Sequence, residues 1–230
     1  MKTFLFDLDD TIIHLNWGVF EKAYYGGLAE AFSHLMPKEA VGKYVYLSYV
    51  YMVQVVDGRT NKEKFYDKMS ELCGIDKEIL KKEEPGYYLN KYDELKGITK
   101  PIDAMVESVN ILKEKGYPLV IASNPVFPAI ATLKRLSWIG FTEDDFVKVT
   151  YFETQYACKP QMQFYTDLLK QLNLKPEDCV MVGNDRKEDM MATLLGVQGI
   201  LITDYLFDSD DDYICKEMTS QEFLSYVKEL

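Results

Sequence analysis

The stretch TFLFDLDDT, residues 3–11, sets Phe4, Leu5, Phe6 and Leu8 in a short apolar run that ends among carboxylates. A run of this length bounded by polar residues predicts a strand buried on both faces, as in a parallel sheet. We place it at residues 3–8, with Asp7 and Asp9 at its C-terminal end. Strict alternation puts both carboxylates on one face, a turn at the strand end lets both serve one site, and Leu8 points into the opposite apolar layer. The ordinary alternative is an Asp that caps the turn after a strand.

Working outward, the chain from Pro101 onward alternates short apolar runs with helix-length segments. A helix through about Lys115 leads to a turn at Gly116 and the run PLVIAS; helices follow at 126–137, 160–172 and 187–195, separated by strands at 146–150, CVMVG (179–183) and GILIT (199–203). That rhythm predicts an α/β fold with a Rossmann-like parallel sheet. DSDDD at 208–212 reads as a solvated loop, and a last helix starts near Gln221.

Between the first strand and Pro101 the pattern differs. Residues 17–92 show no convincing strand and several amphipathic helix-length stretches: Trp17 to about Met36, Pro37 to about Val56, 61–73 with a stop at Cys73-Gly74, and 76–84 before a break at Pro85-Gly86. The expected organisation is a core domain of residues 1–16 and 93–230, interrupted by a helical cap of residues 17–92. Hinges are expected near 12–17 and 92–100.

Composition narrows the function. Of 230 residues, 37 are Asp or Glu and 26 are Lys or Arg, a net charge of −11, and 47% are hydrophobic. Such a chain builds a substantial core and lacks the basic field that a nucleic-acid groove requires, so no nucleic-acid partner is expected. No run approaches the ~18 apolar residues of a membrane helix, and the N-terminus has no signal-peptide pattern, which predicts a cytoplasmic protein with no membrane partner. The four cysteines make no CxxC pair and read as reduced structural thiols; with only His14 and His34, a three-histidine metal site is excluded. No heptad seam points to an oligomeric state.

Polar residues gather where the predicted strands end: Asp7 and Asp9 after the first, Ser123 and Asn124 after the second, Asp185 after CVMVG, and Lys159 at a helix start. Open α/β sheets bind ligands at that edge. Three converging acids need a cation or a shared proton, and oxygen ligands of this kind suit Mg²⁺. Simpler readings exist for each residue, with Ser123-Asn124 capping the turn before Pro125 and Lys159 as an exposed helix-start residue.

DLDDT at 7–11, Ser123 after an apolar strand, Lys159 within CKPQMQF and GNDRKED at 183–189 together resemble the four motifs of the haloacid dehalogenase (HAD) superfamily, and the insert resembles its C1-type helical cap. The resemblance covers nearly the whole chain except the last ~25 residues. It implies a phosphatase-like enzyme with Mg²⁺ as cofactor. Asp7 would be the nucleophile that becomes an aspartyl-phosphate, and Asp9 the general acid and base. Ser123, the Asn124 backbone N–H and Lys159 would hold the phosphoryl group, while Asp7, the Asp9 carbonyl and Asp185 would hold the metal. Asp189 would orient Lys159 or a metal-bound water. In the fourth motif Asn184 and Asp185 compete as ligand, and Asp185 is preferred because Asn184 offers only a neutral amide oxygen. Two departures stand out: Asp10 and Cys158 occupy positions where relatives often carry Gly, and Asp10 is read as a local backbone cap.

The resulting expectation is hydrolysis of a small-molecule phosphate monoester beneath a mobile cap, with a sugar-phosphate phosphomutase or a non-catalytic phosphate- or metal-binding module as rivals. Glu188 is expected to face away from the site. His14 is left between a substrate contact and a half-exposed linker residue, His34 reads as a surface or packing residue, and the tyrosines at 44, 46, 49 and 51 read as packing within the cap.

Overall fold

The computed structural model describes all 230 residues. Its strands are β1 (Thr3–Phe6), β2 (Ile13–Leu15), β3 (Thr99–Pro101), β4 (Leu119–Ile121), β5 (Lys148–Val149), β6 (Cys179–Gly183), β7 (Gln198–Ile202) and β8 (Cys215–Met218). Six of them form one sheet in the order β5-β4-β1-β6-β7-β8, and every neighbouring pair is parallel. From central β1 the chain lays β4 and β5 to one side and β6, β7 and β8 to the other. The C-terminal ends of β1, β4 and β6 therefore meet at the topological switch point, where such sheets leave a crevice.

The apolar runs are continuous because both faces of the sheet are covered. Phe4, Phe6, Val180 and Val182 belong to one buried cluster, and Leu5, Val120, Met181 and Leu201 to the other. Alternate residues of one strand thus serve opposite layers, so a single polar substitution would expose a defect in one of them.

The helices are α1 (Trp17–Ala31), α2 (Lys38–Gln54), α3 (Asn61–Cys73), α4 (Lys77–Asn90), α5 (Asp103–Glu114), α6 (Ala129–Trp138), α7 (Met162–Gln171) and α8 (Ser220–Glu229). The first four make the cap. α3 stops at Gly74 in the left-handed conformation, as the sequence anticipates, and starts at Thr60 with a capping box to Glu63 that the structure adds. The first cap helix is shorter than expected and ends at Ala31. Pro85 does not break the fourth helix: α4 runs through it to Asn90. An interior proline costs about 3 kcal/mol, but continuing the helix buries Tyr87 and Tyr88, at about 1.5–3 kcal/mol for each large apolar side chain.

Three further differences have local causes. The helix expected at 187–195 is a 3-10 helix over Met190–Leu195, because the Asp185 and Asp189 carboxylates accept from the backbone N–H groups of Glu188 and Asp185 and bend the chain into a turn first. Edge strand β8 reads CKEM, with Lys216 and Glu217 exposed, and so lacks an apolar run. The two expected hinges, near 12–17 and 92–100, pair as the antiparallel ribbon β2-β3, with His14 opposite Lys100.

The cap is docked along α3. Asn61 Nδ2 donates to the carbonyls of Pro125 and Ala157 at 3.2 Å each, and the buried Lys64 ammonium reaches the carbonyls of Val55 at 2.7 Å and Tyr156 at 2.9 Å. Cap residues such as Phe20, Met52 and Tyr66 share one buried cluster with Phe4 and Phe6 of the sheet.

Candidate active site

β1 delivers Asp7 into the middle of the crevice. The Asp7 N–H still donates to the carbonyl of Val182 at 2.8 Å, and Ala122 N–H donates to Phe6 at 2.7 Å, so the three strand ends remain in register where their polar residues begin. Asp7, Ser123 and Asn184 consequently line one cavity. The Thr11 hydroxyl lies 2.9 Å from Asn184 Oδ1 and 3.3 Å from Asp7 Oδ2, linking the first and last of these ends. Thr11 stands in the DLDDT stretch, and only the fold brings it to Asn184.

Lys159 lies beneath Asp7, completely buried. Its Nζ is 2.9 Å from Asp7 Oδ1 and 2.5 Å from Asp189 Oδ1. Burial works against the ammonium, but the two carboxylates outweigh it and hold Lys159 above the usual lysine range. Burial also pushes the Asp189 carboxyl upward, against the opposing charge of Lys159. Asp189 Oδ2 accepts from the Asp185 N–H at 2.9 Å, so its second oxygen is held as well. Gly183 makes room for this carboxylate: a Cβ there would come within 2.1 Å of Asp189 Oδ2.

Asp9 has a different partner. Arg135 of α6, fully buried, brings Nη1 to 3.1 Å from Asp9 Oδ2 and lays its guanidinium 4.3 Å from the centre of the Phe127 ring. Asp9 Oδ1 is buried without a hydrogen-bond partner. Burial pushes the Asp9 carboxyl up to about 6, partly offset by Arg135. Sequence reasoning missed Arg135, although a signal was present. Ala131, Thr132 and Leu136 form the buried stripe of α6, and Arg135 sits in that stripe at helical spacing.

Asn124 ties the other loops together. Its Nδ2 donates to Glu188 Oε2 at 2.9 Å, and its Oδ1 accepts from the Lys159 N–H at 3.2 Å. Glu188 therefore does not face away from the site, as its neighbours in sequence suggested; it lines the cavity. The short turn that replaces a regular helix here rotates it inward. Burial pushes the Glu188 carboxyl up to about 7, with Lys159 opposing.

Asn184 and Asp185 both line the cavity. Asn184 Nδ2 donates to the carbonyl of Tyr205 at 2.8 Å, which aims its oxygen at Thr11. Asp185 Oδ1 accepts from the Glu188 N–H at 2.7 Å, and burial raises its carboxyl. No three or more His, Cys, Asp or Glu side chains form a ready metal cage. Hard oxygens are nevertheless abundant, since Asp7, Asp9, Asp185, Glu188 and Asp189 share the site with only Lys159 and Arg135 as cations close by.

Asp10 performs the capping read for it. It adopts φ 59°, a left-handed conformation that favours glycine, and its carboxylate accepts from the Leu15 N–H at 3.0 Å and from Trp17 Nε1 at 2.5 Å. His14 contacts the same carboxylate at 2.7 Å and stacks on Tyr205 at 3.9 Å, outside the cavity lining, so it organises the linker. His34 lies at the surface, 3.4 Å from Glu83.

The sequence model of the haloacid dehalogenase-like hydrolases matches residues 1–193. The chain belongs to that family. This HAD hydrolase is 25% identical over 240 residues to the glyceraldehyde 3-phosphate phosphatase of Methanothermobacter thermautotrophicus, an alignment that covers 100% of this chain and 99% of that one. Its fold is shared with a HAD phosphatase from Thermococcus onnurineus (TM-score 0.61, 18% identity, 99% of this chain and 98% of the other). A putative beta-phosphoglucomutase from Thermotoga maritima is similar at TM-score 0.60 and 18% identity, with 100% of each chain covered.

In this HAD hydrolase the cavity has a volume of about 630 Å³ and lies between sheet edge and cap. Trp17, Phe20 and Tyr24 of α1 and Tyr46 and Tyr49 of α2 form much of the cap side. Tyr46 and Tyr49 thus do more than pack helices. Phe207, from the C-terminal segment beyond the matched residues, closes one side, anchored by its N–H to the carbonyl of Asn184 at 2.9 Å. No helix of the chain is long and apolar enough to cross a membrane.

Proposed function

We propose that the chain catalyses Mg²⁺-dependent hydrolysis of a small phosphate monoester through an aspartyl-phosphate. The observation that carries this reading is the placement of Lys159 Nζ, 2.9 Å from Asp7 Oδ1 and 2.5 Å from Asp189 Oδ1, under a cavity that Asp9 and Ser123 also line.

Asp7 attacks phosphorus with one carboxylate oxygen while the bond from phosphorus to the ester oxygen breaks. Lys159, 2.9 Å from Asp7 Oδ1, orients the nucleophile and offsets the charge that gathers on the phosphoryl oxygens. Asp9 gives its proton to the departing alkoxide. With its carboxyl pushed up to about 6 by burial, it exchanges a proton near neutral pH more readily than a solvated aspartate does. In the second half-reaction Asp9 takes a proton from water, the water oxygen attacks phosphorus, and inorganic phosphate leaves as Asp7 is regenerated. Ser123 and the Asn124 N–H donate to the phosphoryl oxygens. Arg135 keeps Asp9 in place against Phe127.

Asp7 and Asp185, with the carbonyl of Asp9 and the amide oxygen of Asn184 nearby in sequence, fit Mg²⁺. The donors are all hard oxygens, the acids outnumber the cations, and Mg²⁺ is usually held by one or two carboxylates plus waters and substrate. Bound there, it would neutralise developing negative charge on the phosphoryl group.

Hydrolysis is favoured over a mutase reaction. Transfer of a phosphoryl group between two hydroxyls passes through a doubly phosphorylated sugar, and the cavity has no Lys, Arg or His in its lining to receive a second phosphate. The test is phosphate release from a panel of monoesters, glyceraldehyde 3-phosphate included, with Mg²⁺. Wild type is expected to turn over, and Asp7→Asn to lose at least about 10³-fold in kcat with unchanged circular dichroism. Retained turnover in Asp7→Asn would remove the covalent route, and an isomerised sugar phosphate without free phosphate would favour the mutase.

A further inference from the structure

The lining of the cavity divides by chemistry. At the sheet edge are five of the acids with Ser123, Asn124 and Asn184, and eleven of the twenty lining residues, most of them from the cap, are hydrophobic. Six carboxylates line the space, Asp7, Asp9, Glu21, Asp185, Glu188 and Asp189, and not one Lys, Arg or His does. Lys159 stands behind Asp7 with its ammonium on two carboxylates, and Arg135 stands behind Asp9. Neither cation is left for a group at the cap end.

The aromatic wall is preformed. Phe20 and Tyr24 lie parallel, 6.1 Å apart at 10°, and Tyr24 meets Phe127 of the core edge-on at 5.5 Å. The Tyr24 hydroxyl is tied to that of Tyr88 at 2.8 Å, which fixes the ring. A cavity of about 630 Å³ lies within the roughly 300–1,000 Å³ of sites that enclose drug-sized molecules and is far larger than a phosphoryl group and a three-carbon alcohol need. Two further carboxylates line the same space: Glu188 from the core and the exposed Glu21 from α1.

From this division we infer that the substrate is a phosphate monoester of an uncharged alcohol with a flat apolar face, and that esters carrying a second anionic group are rejected. The inference rests on the proposed phosphatase reading and names the leaving group for that same site. Aromatic rings gain apolar burial and edge or face contacts from Phe20, Tyr24 and Tyr49. A carboxylate or second phosphate in the same place would lose its water, find no cation, and meet Glu188 and Glu21. Glyceraldehyde 3-phosphate satisfies the charge requirement but leaves most of the wall unused.

The experiment compares 2-phenylethyl phosphate, glyceraldehyde 3-phosphate and phosphoglycolate on the purified full chain with Mg²⁺. All three are alkyl esters, so intrinsic leaving-group reactivity is comparable. The expected order of kcat/KM is as written, with at least about tenfold between the first and the last. Glu21→Lys is expected to narrow that ratio at least about threefold by raising phosphoglycolate turnover. In parallel, calorimetric titration with the non-hydrolysable phenylpropylphosphonate and phosphonoacetate is expected to favour the first about tenfold. Phosphate release with phosphoglycolate equal or preferred would overturn the leaving-group assignment and leave hydrolysis standing. No release from any ester, with the aromatic phosphonate still preferred, would overturn hydrolysis and leave the assignment standing. A Glu21→Lys variant with an unchanged ratio would overturn charge exclusion at the cap end of the cavity.

Discussion

The sheet edge and the cap are built on opposite principles. At the edge, charged groups are buried and paired: Lys159 with Asp7 and Asp189, and Arg135 with Asp9. In the cap, aromatic rings pack on one another, with Tyr24, Tyr87, Tyr88 and Tyr92 in mutual contact at 5.1–6.4 Å. The edge therefore holds atoms at fixed positions at high electrostatic cost, while the cap supplies a shaped apolar surface at low cost. Loss of one charge should be felt strongly at the edge, whereas the cap should tolerate changes that keep its volume.

The largest effect is expected from Lys159→Met. It leaves Asp7 and Asp189 buried without their cation, and about 3–5 kcal/mol of stability should be lost at neutral pH, read by urea unfolding. Adding Asp189→Asn should restore part of that loss; if the double variant is no better than the single one, the ion pair is not the source.

Besides the buried Lys64 ammonium of α3, the cap buries one carboxyl, Glu84. Burial pushes its carboxyl from 4.5 up to about 7, only partly opposed by the nearby Tyr66 hydroxyl. A raised folded-state value means that the unfolded chain releases the proton first. The contribution of Glu84 is therefore full below about 4.5 and is lost as pH rises through about 7, roughly 3 kcal/mol over that window. Melting temperature followed from pH 4.5 to 7.5 (about the span set by those two values) should fall less in Glu84→Gln than in wild type. Equal slopes would place the titrating group elsewhere.

Gly183→Ala brings a methyl group within 2.1 Å of Asp189 Oδ2. A cost of about 1–3 kcal/mol is expected, together with a fall in turnover as Asp189 moves off Lys159. Crystallography of the variant would check the displacement. The smallest effect belongs to Thr60→Ala in the cap, where loss of the capping box with Glu63 should lower stability by about 1 kcal/mol and leave turnover unchanged. A turnover defect there would show that the docking of α3, through Asn61 and Lys64, is coupled to the edge more tightly than the contrast implies.

The two regions were also unequally legible. β6 and α3 could be delimited from sequence alone, because CVMVG is a buried run with polar ends and α3 carries a glycine stop after an amphipathic stretch. Asp7, Asp9, Ser123, Lys159 and Asp185 were readable as a set because each follows or precedes such a run. α4 was misread at Pro85, since a local breaker rule ignores what Tyr87 and Tyr88 bury. Glu188 was misread because a helical template was applied to a turn that the Asp185 and Asp189 side chains bend.

Sequence alone determined that acids and a serine would stand at the ends of parallel strands and a lysine at a helix start, because the period of apolar residues and the position of polar ones are local properties of the chain. It could not determine that Arg135 faces Asp9, that Glu188 turns into the cavity, or that the cap presents aromatic rings and no cation to the substrate. Those depend on which of several possible faces each helix turns inward, and that choice is made by packing between segments far apart in the chain.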